Sequence, residues 1–138
     1  MSSTIFLRIY QTNPGRGFFR IVEQTVWTKA TWSDDRVTPT LTLNESGTSG
    51  VLRFLSDKGE GFTVAVGLDA QRWCDVVGRL RPGDSARVIN SQYYDGERDF
   101  VREEQQTQHT DTGSLGTKLT LVYTVTEGSK LEANIIFA

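Results

Sequence analysis

Cys74 and His109 are the only cysteine and the only histidine of the chain, so a thiolate–imidazole nucleophile pair would have to be built from these two. The adjacent acids Asp34-Asp35 and Glu103-Glu104 are the candidates for paired-carboxylate glycoside hydrolysis. Both ideas fit their surroundings poorly. Cys74 adjoins an apolar stripe, where an inert thiol is the usual outcome, and the acid pairs stand in polar segments that read as solvated surface. One cysteine and one histidine leave no ligand set for zinc, and the P-loop and dinucleotide fingerprints are absent. The residue types suit noncovalent recognition better. Gly/Ser loops expose backbone N–H groups, planar polar side chains can pair with hydroxyls, and exposed aromatics can take an apolar sugar face.

Composition narrows the partners. The 138 residues carry a net charge of -2 with a sequence pI near 5.4, and Lys and Arg are scattered among acids, which excludes a nucleic-acid footprint. No apolar run approaches the roughly 18 residues of a membrane-spanning helix. The opening MSSTIFLRIYQT alternates like a strand and does not resemble a secretory signal. The lone Cys74 excludes an intramolecular disulfide and fits a reducing compartment, so a cytoplasmic protein is expected. The sequon Asn44-Glu45-Ser46 is then an accidental match.

The elements that must position any site are mostly strands. Thr4–Thr12, Phe18–Trp27, Thr40–Asn44, Val51–Leu55, Phe62–Leu68, Lys118–Thr126 and Leu131–Phe137 have β composition, bounded by Gly, Pro and Asn turns. Phe18–Trp27 is apolar on both faces, which implies cover on both sides or an interface. Thr28–Pro39 reads as a loop with a short strand at Thr31-Trp32. Thr40–Asn44, a small-residue tip at Ser46–Gly50 and Val51–Leu55 read as a hairpin. Gly67–Leu80 is the predicted helix: Trp73, Val76, Val77 and Leu80 recur at i, i+3, i+4 and i+7, Asp69 is its N-cap and Pro82-Gly83 its end. Arg72, Asp75 and Arg79 then face water or a ligand. Asp84–Asn90 fits a helical turn or a strand, Tyr93–Gly96 a turn, Arg98–Gln108 a polar segment and Thr110–Gly116 a loop. Trp73 and Tyr123 are assigned to the core. Strands at roughly ten-residue spacing imply one mainly β domain over residues 1–138, an antiparallel sandwich or barrel.

Taken together, the segments Tyr10–Pro14, Gly17–Glu23, Ser46–Phe54, Arg72–Val77, Val88–Asn90 with Tyr93-Tyr94, and Tyr123–Gly128 with Leu131, Ala133 and Asn134 resemble the fungal fruit body lectins, nearly end to end and in order. The resemblance implies an antiparallel β-sandwich of two sheets joined by a helix-loop-helix, the actinoporin-like fold. It implies a non-enzymatic homotetramer or homodimer without metal or cofactor, reaching membranes only through surface glycans. It also implies action on external glycans after release or ingestion, in fungal defence. Two sugar sites follow from it. A GlcNAc-type site maps to Asp75, Val76, Gly78, Arg98 and His109, with Gly78 and His109 standing where the family carries Thr and Tyr. A Galβ1-3GalNAc (T-antigen) or GalNAc site maps to Ala30, Ser46, Gly47, Asp69 and Ala70. There the loop carrying Ala30 is shortened and Asp69-Ala70 replaces a His-Asn pair, which implies altered specificity. The competing reading is a membrane-binding pore former of the same fold. Such a protein needs an amphipathic N-terminal helix, and Thr4–Thr12 has the pattern of a strand.

Overall fold

A computed structural model describes residues 2–138. Among the described residues, ten strands make two sheets with two short α-helices laid on one of them. The strands are β1 (Ser3–Gln11), β2 (Phe19–Val26), β3 (Ala30–Trp32), β4 (Thr40–Leu43), β5 (Thr48–Ser56), β6 (Gly61–Asp69), β7 (Gln71–Val77), β8 (Gln108–Thr112), β9 (Lys118–Val125) and β10 (Lys130–Phe137). The helices, α1 (Ala86–Asp95) and α2 (Asp99–Glu104), follow β7. One sheet runs β3-β4-β1-β10-β9-β8 and the other β2-β5-β6-β7. All pairings are antiparallel except β1 with β10, which is parallel. The architecture is the expected sandwich of two sheets joined by a helix-loop-helix.

Alternation explains the sandwich. Ile5 and Leu7 of β1, Leu119, Leu121 and Tyr123 of β9, and Leu131, Ala133, Ile135 and Phe137 of β10 all turn inward. They meet Leu52, Phe54, Phe62, Val64, Val66, Cys74 and Val76 from the second sheet. A second core lies on the other face of that sheet, where Val51, Ala65, Trp73 and Val77 pack under Ala86, Ile89, Tyr93 and Val101 of the helices. The second sheet is therefore buried on both faces. Each apolar side chain so covered contributes roughly 1.5–3 kcal/mol.

This double burial overturns the expected helix over Gly67–Leu80. That stretch is the end of β6, a tight turn at Ala70 and the whole of β7. Trp73, Asp75 and Val77 point at the helices while Cys74 and Val76 point into the sandwich, so both faces carry apolar residues and mimic a helical stripe. Asp69 is no N-cap; it pairs with Gln71 across the turn, where Ala70 holds φ 63°.

The helix signal lies further on. Ser85 caps α1 by accepting the Val88 N–H at 3.1 Å, and Ala86, Ile89, Asn90 and Tyr93 form its buried stripe. Tyr93 and Tyr94 are thus helical and not part of a turn, and the polar segment after Arg98 holds α2. Thr110–Gly116, expected as a loop, begins as strand β8. The expected β4–β5 hairpin is also absent: β4 pairs in the first sheet and β5 in the second, so the small-residue segment crosses between sheets. Gly50 within β5 lets the Trp32 ring of β3 pack against it, since a Cβ there would fall 2.6 Å from that ring.

Candidate functional site

Where β7, α1, the α2 N-terminus and β8 converge, Asp75 is held by groups from three other elements. It sits on the edge strand of the second sheet and is only 3% exposed. The Tyr93 hydroxyl donates to its Oδ2 at 2.7 Å, Arg98 Nη1 lies 3.8 Å from the same oxygen, and His109 Nε2 lies 3.3 Å from Oδ1. Burial raises the Asp75 pKa, opposed by the Tyr93 hydrogen bond and then by the nearby His109 and Arg98; the net shift is upward.

Each partner is itself positioned. Arg98 is the residue before α2, and its Nε donates to Gln92 Oε1 of α1 at 3.0 Å. His109 and Asp111 alternate on β8, so both point at the edge of β7. His109 Nδ1 accepts the Val76 N–H at 3.2 Å and Asp111 Oδ2 accepts the Gly78 N–H at 2.7 Å. Two strand-edge donors that would otherwise lack partners are satisfied by side chains of the other sheet. Since Nδ1 accepts, the neutral imidazole carries its proton on Nε2, facing Asp75.

Over this network opens a cleft of about 440 Å³, lined among others by Asp75, Arg79, Arg98, Phe100, His109 and Asp111. Phe100 is 53% exposed at its rim, an aromatic surface beside charge-bearing hydrogen-bonding groups. All five residues expected for the GlcNAc-type site are therefore brought together. Two of them act through the backbone. The Val76 side chain is buried in the sandwich, and a Cβ on Gly78 would collide with the Thr112 carbonyl. Tyr93, Gln92, Arg79, Phe100 and Asp111 had no part in the expected site. The apolar Tyr93 on a 3.6-residue period with Ile89 was the available signal for the first of them.

The second expected group gathers at the end of the sandwich. Ser46 Oγ accepts the Ala70 N–H at 2.8 Å, and the Gly47 N–H donates to the Leu68 carbonyl at 2.7 Å. Asp69 faces the helices, where Arg102 NH1 reaches its Oδ2 at 3.0 Å and Gln105 Nε2 its carbonyl at 2.6 Å. Ala30 opens β3 beside the same crossing loop, since the Lys29 carbonyl accepts the Asn44 N–H at 2.9 Å. Asp69 and Ala70 thus serve the turn and the helix contact, and the Ser46 hydroxyl keeps its own proton to donate.

The catalytic alternatives do not assemble. Cys74 faces the sandwich, donates to the Gln106 carbonyl at 3.5 Å, and has its pKa pushed up to about 12 by burial and then by Asp75; His109 is engaged elsewhere. Asp35 closes a local turn, accepting from Thr38 Oγ1 and from the Val37 and Thr38 N–H groups. Glu103 and Glu104 are exposed. Among the described residues no group of three or more His, Cys, Asp or Glu is arranged to hold a metal ion.

Comparison with known proteins identifies the family. The family model for the fungal fruit body lectins matches residues 1–135. The chain is 54% identical to the Boletus edulis lectin over 143 residues, covering all of both chains. It superposes on the crystal structure of wild-type Xerocomus chrysenteron lectin with a TM-score of 0.94 and 57% identity, again over the full length of both. The lipid-binding protein Nakanori shares the fold at a TM-score of 0.67 with 8% identity, over all of this chain and 72% of Nakanori. This chain belongs to the fungal fruit body lectin family.

Proposed function

We propose that the protein is a non-enzymatic lectin whose main site is the Asp75–Arg98–His109 cleft and whose ligand is a GlcNAc-terminated glycan. The supporting observation is the buried Asp75 carboxylate at the floor of a cleft that also offers a guanidinium and an exposed aromatic ring. A carboxylate can accept from two vicinal hydroxyls, a guanidinium can donate to a ring or acetamide oxygen, and an aromatic ring can cover the apolar sugar face. The Ser46–Gly47 end is a second, altered site for Galβ1-3GalNAc or GalNAc. Its Asp69 is tied to Arg102, which argues for weaker or shifted recognition there.

A shallow monosaccharide site binds weakly, so the proposal includes self-association into a homodimer or homotetramer, which raises avidity by roughly 10²–10⁴ when target spacing fits. Phe18 and Val37, 78% and 76% exposed, supply an apolar surface for it. A cytoplasmic store, acting on external glycans after release or ingestion in fungal defence, completes the proposal. A helix-inserting pore former is disfavoured, because β1 is held between β4 and β10 with Ile5 and Leu7 fully buried. Isothermal titration with N,N′-diacetylchitobiose on the wild type and Arg98→Ala tests the main site. Binding by the first and not by the second is expected; equal binding by both removes the cleft from the account.

A further inference from the structure

Tyr93 carries a hydroxyl that no sugar can touch, yet it makes the shortest contact to the carboxylate in the cleft. Its residue exposure is 0%, so water cannot replace Asp75 as a partner. The ring is fixed by a tilted contact with Trp73, centroids 4.9 Å apart. The Tyr93 backbone carbonyl is taken by Arg102 Nε, so the helix turn bearing it is pinned as well. Burial, followed by the nearby Asp75 charge, pushes the phenol pKa well above its usual value, so the group remains an O–H donor.

Burial alone would favour a protonated Asp75. A neutral carboxyl accepts poorly on its protonated oxygen and could no longer receive two sugar hydroxyls. The groups facing Asp75 are Tyr93 from α1, Arg98 before α2 and His109 from β8; Arg79 and Asp111 line the same cleft, and Cys74 adjoins it in sequence. Arg98 at 3.8 Å and His109 at 3.3 Å are longer contacts than the 2.7 Å hydrogen bond from Tyr93. Tyr93 occupies one lone pair of Oδ2 from the protein side and leaves the cleft side open.

We propose that Tyr93 is a positioning residue of the carbohydrate site, its buried hydroxyl orienting the Asp75 carboxylate and keeping it an acceptor for sugar hydroxyls. The proposal rests on the reading of the cleft as the sugar site. A purely structural tyrosine would change stability; a positioning tyrosine changes the pH profile of the site.

The test is Tyr93→Phe, which keeps the ring and its Trp73 contact. Affinity for N,N′-diacetylchitobiose should fall about tenfold at neutral pH, the loss of about one charged hydrogen bond, and its acid limb should move to higher pH. The Asp75 carboxyl carbon, followed by NMR without sugar, should titrate at higher pH in Tyr93→Phe than in the wild type. If Tyr93→Phe does not fold, 3-fluorotyrosine at position 93, a stronger donor, should move the acid limb and the Asp75 titration downward. An unchanged Asp75 titration, or a binding loss equal at every pH, overturns the role of Tyr93. Wild-type protein that fails to bind the disaccharide overturns the functional reading instead, and the NMR titration still decides the role of Tyr93.

Discussion

His109 holds Asp75 from one side while taking the backbone N–H of Val76 on the other: Nε2 stands 3.3 Å from Asp75 Oδ1, and Nδ1 accepts from Val76 at 3.2 Å. One imidazole thus links the edge of the second sheet to β8 and orders the Asp75 carboxylate. His109→Phe leaves the Val76 N–H without its partner and removes a donor from Asp75. We expect a stability loss of about 1–3 kcal/mol, the usual cost of an orphaned buried donor, with sugar affinity down roughly tenfold. Thermal unfolding and calorimetric titration of the same sample measure both.

Asp75 and Glu23 should respond to pH in opposite directions. The folded Asp75 pKa is raised, burial being the largest cause. Its contribution to stability is therefore fully present below the unfolded pKa and lost as pH rises through the folded pKa. Ionised Asp75 is held against the cost of its burial. Asp75→Asn should accordingly leave neutral-pH stability unchanged within about 1 kcal/mol and abolish binding to the cleft. A large drop in melting temperature would show that the carboxylate is structural.

For Glu23, burial pushes the pKa upward but is outweighed by the Ala86 N–H, Arg53 and the Arg87 N–H, and the folded pKa is lowered. Glu23 Oε1 accepts from Ala86 N and Arg53 Nε, both at 2.9 Å, tying the start of α1 to β2 and β5. Its contribution is present above the unfolded pKa and is lost as pH falls through the lower folded value. Glu23→Gln should lower neutral-pH stability by about 1 kcal/mol and flatten the acid side of the stability profile between these two values. Chemical denaturation at several pH values checks this.

The backbone of Gly78 approaches the Thr112 carbonyl too closely for any Cβ. Gly78→Ala should destabilise by about 1–3 kcal/mol, as overpacking does, and weaken sugar binding through the displaced Asp111 contact. Wild-type-like melting would show that β8 can move aside at little cost.

Strands β1, β4, β9 and β10 of the first sheet are legible in the chain, whereas β8 is not: in β9, Leu119, Leu121, Tyr123 and Val125 share one face while Thr120 and Thr124 lie on the other. Strand β7 is not legible, because Trp73 and Val77 are covered by helices and Cys74 and Val76 by the other sheet. Alternation vanishes under double cover, and the remaining pattern matches a helix equally well. α1 is only half legible, Asp84–Asn90 fitting a helical turn or a strand, because its buried stripe contains Ala86 and Asn90, residues that contribute little apolar signal. The candidate residues Asp75, Arg98 and His109 come from resemblance to the family. Their mutual geometry depends on packing β8 against the edge of β7, a contact between segments more than thirty residues apart that no local pattern encodes.

The central claim is that the cleft floored by Asp75 is the principal sugar site and that the Ser46 end is secondary. A glycan array probed with wild type, Arg98→Ala and Ser46→Ala tests it most directly. The account predicts GlcNAc-terminated binding by the wild type, its loss in Arg98→Ala and its retention in Ser46→Ala. Wild-type binding confined to Galβ1-3GalNAc glycans, intact in Arg98→Ala and lost in Ser46→Ala, would contradict it.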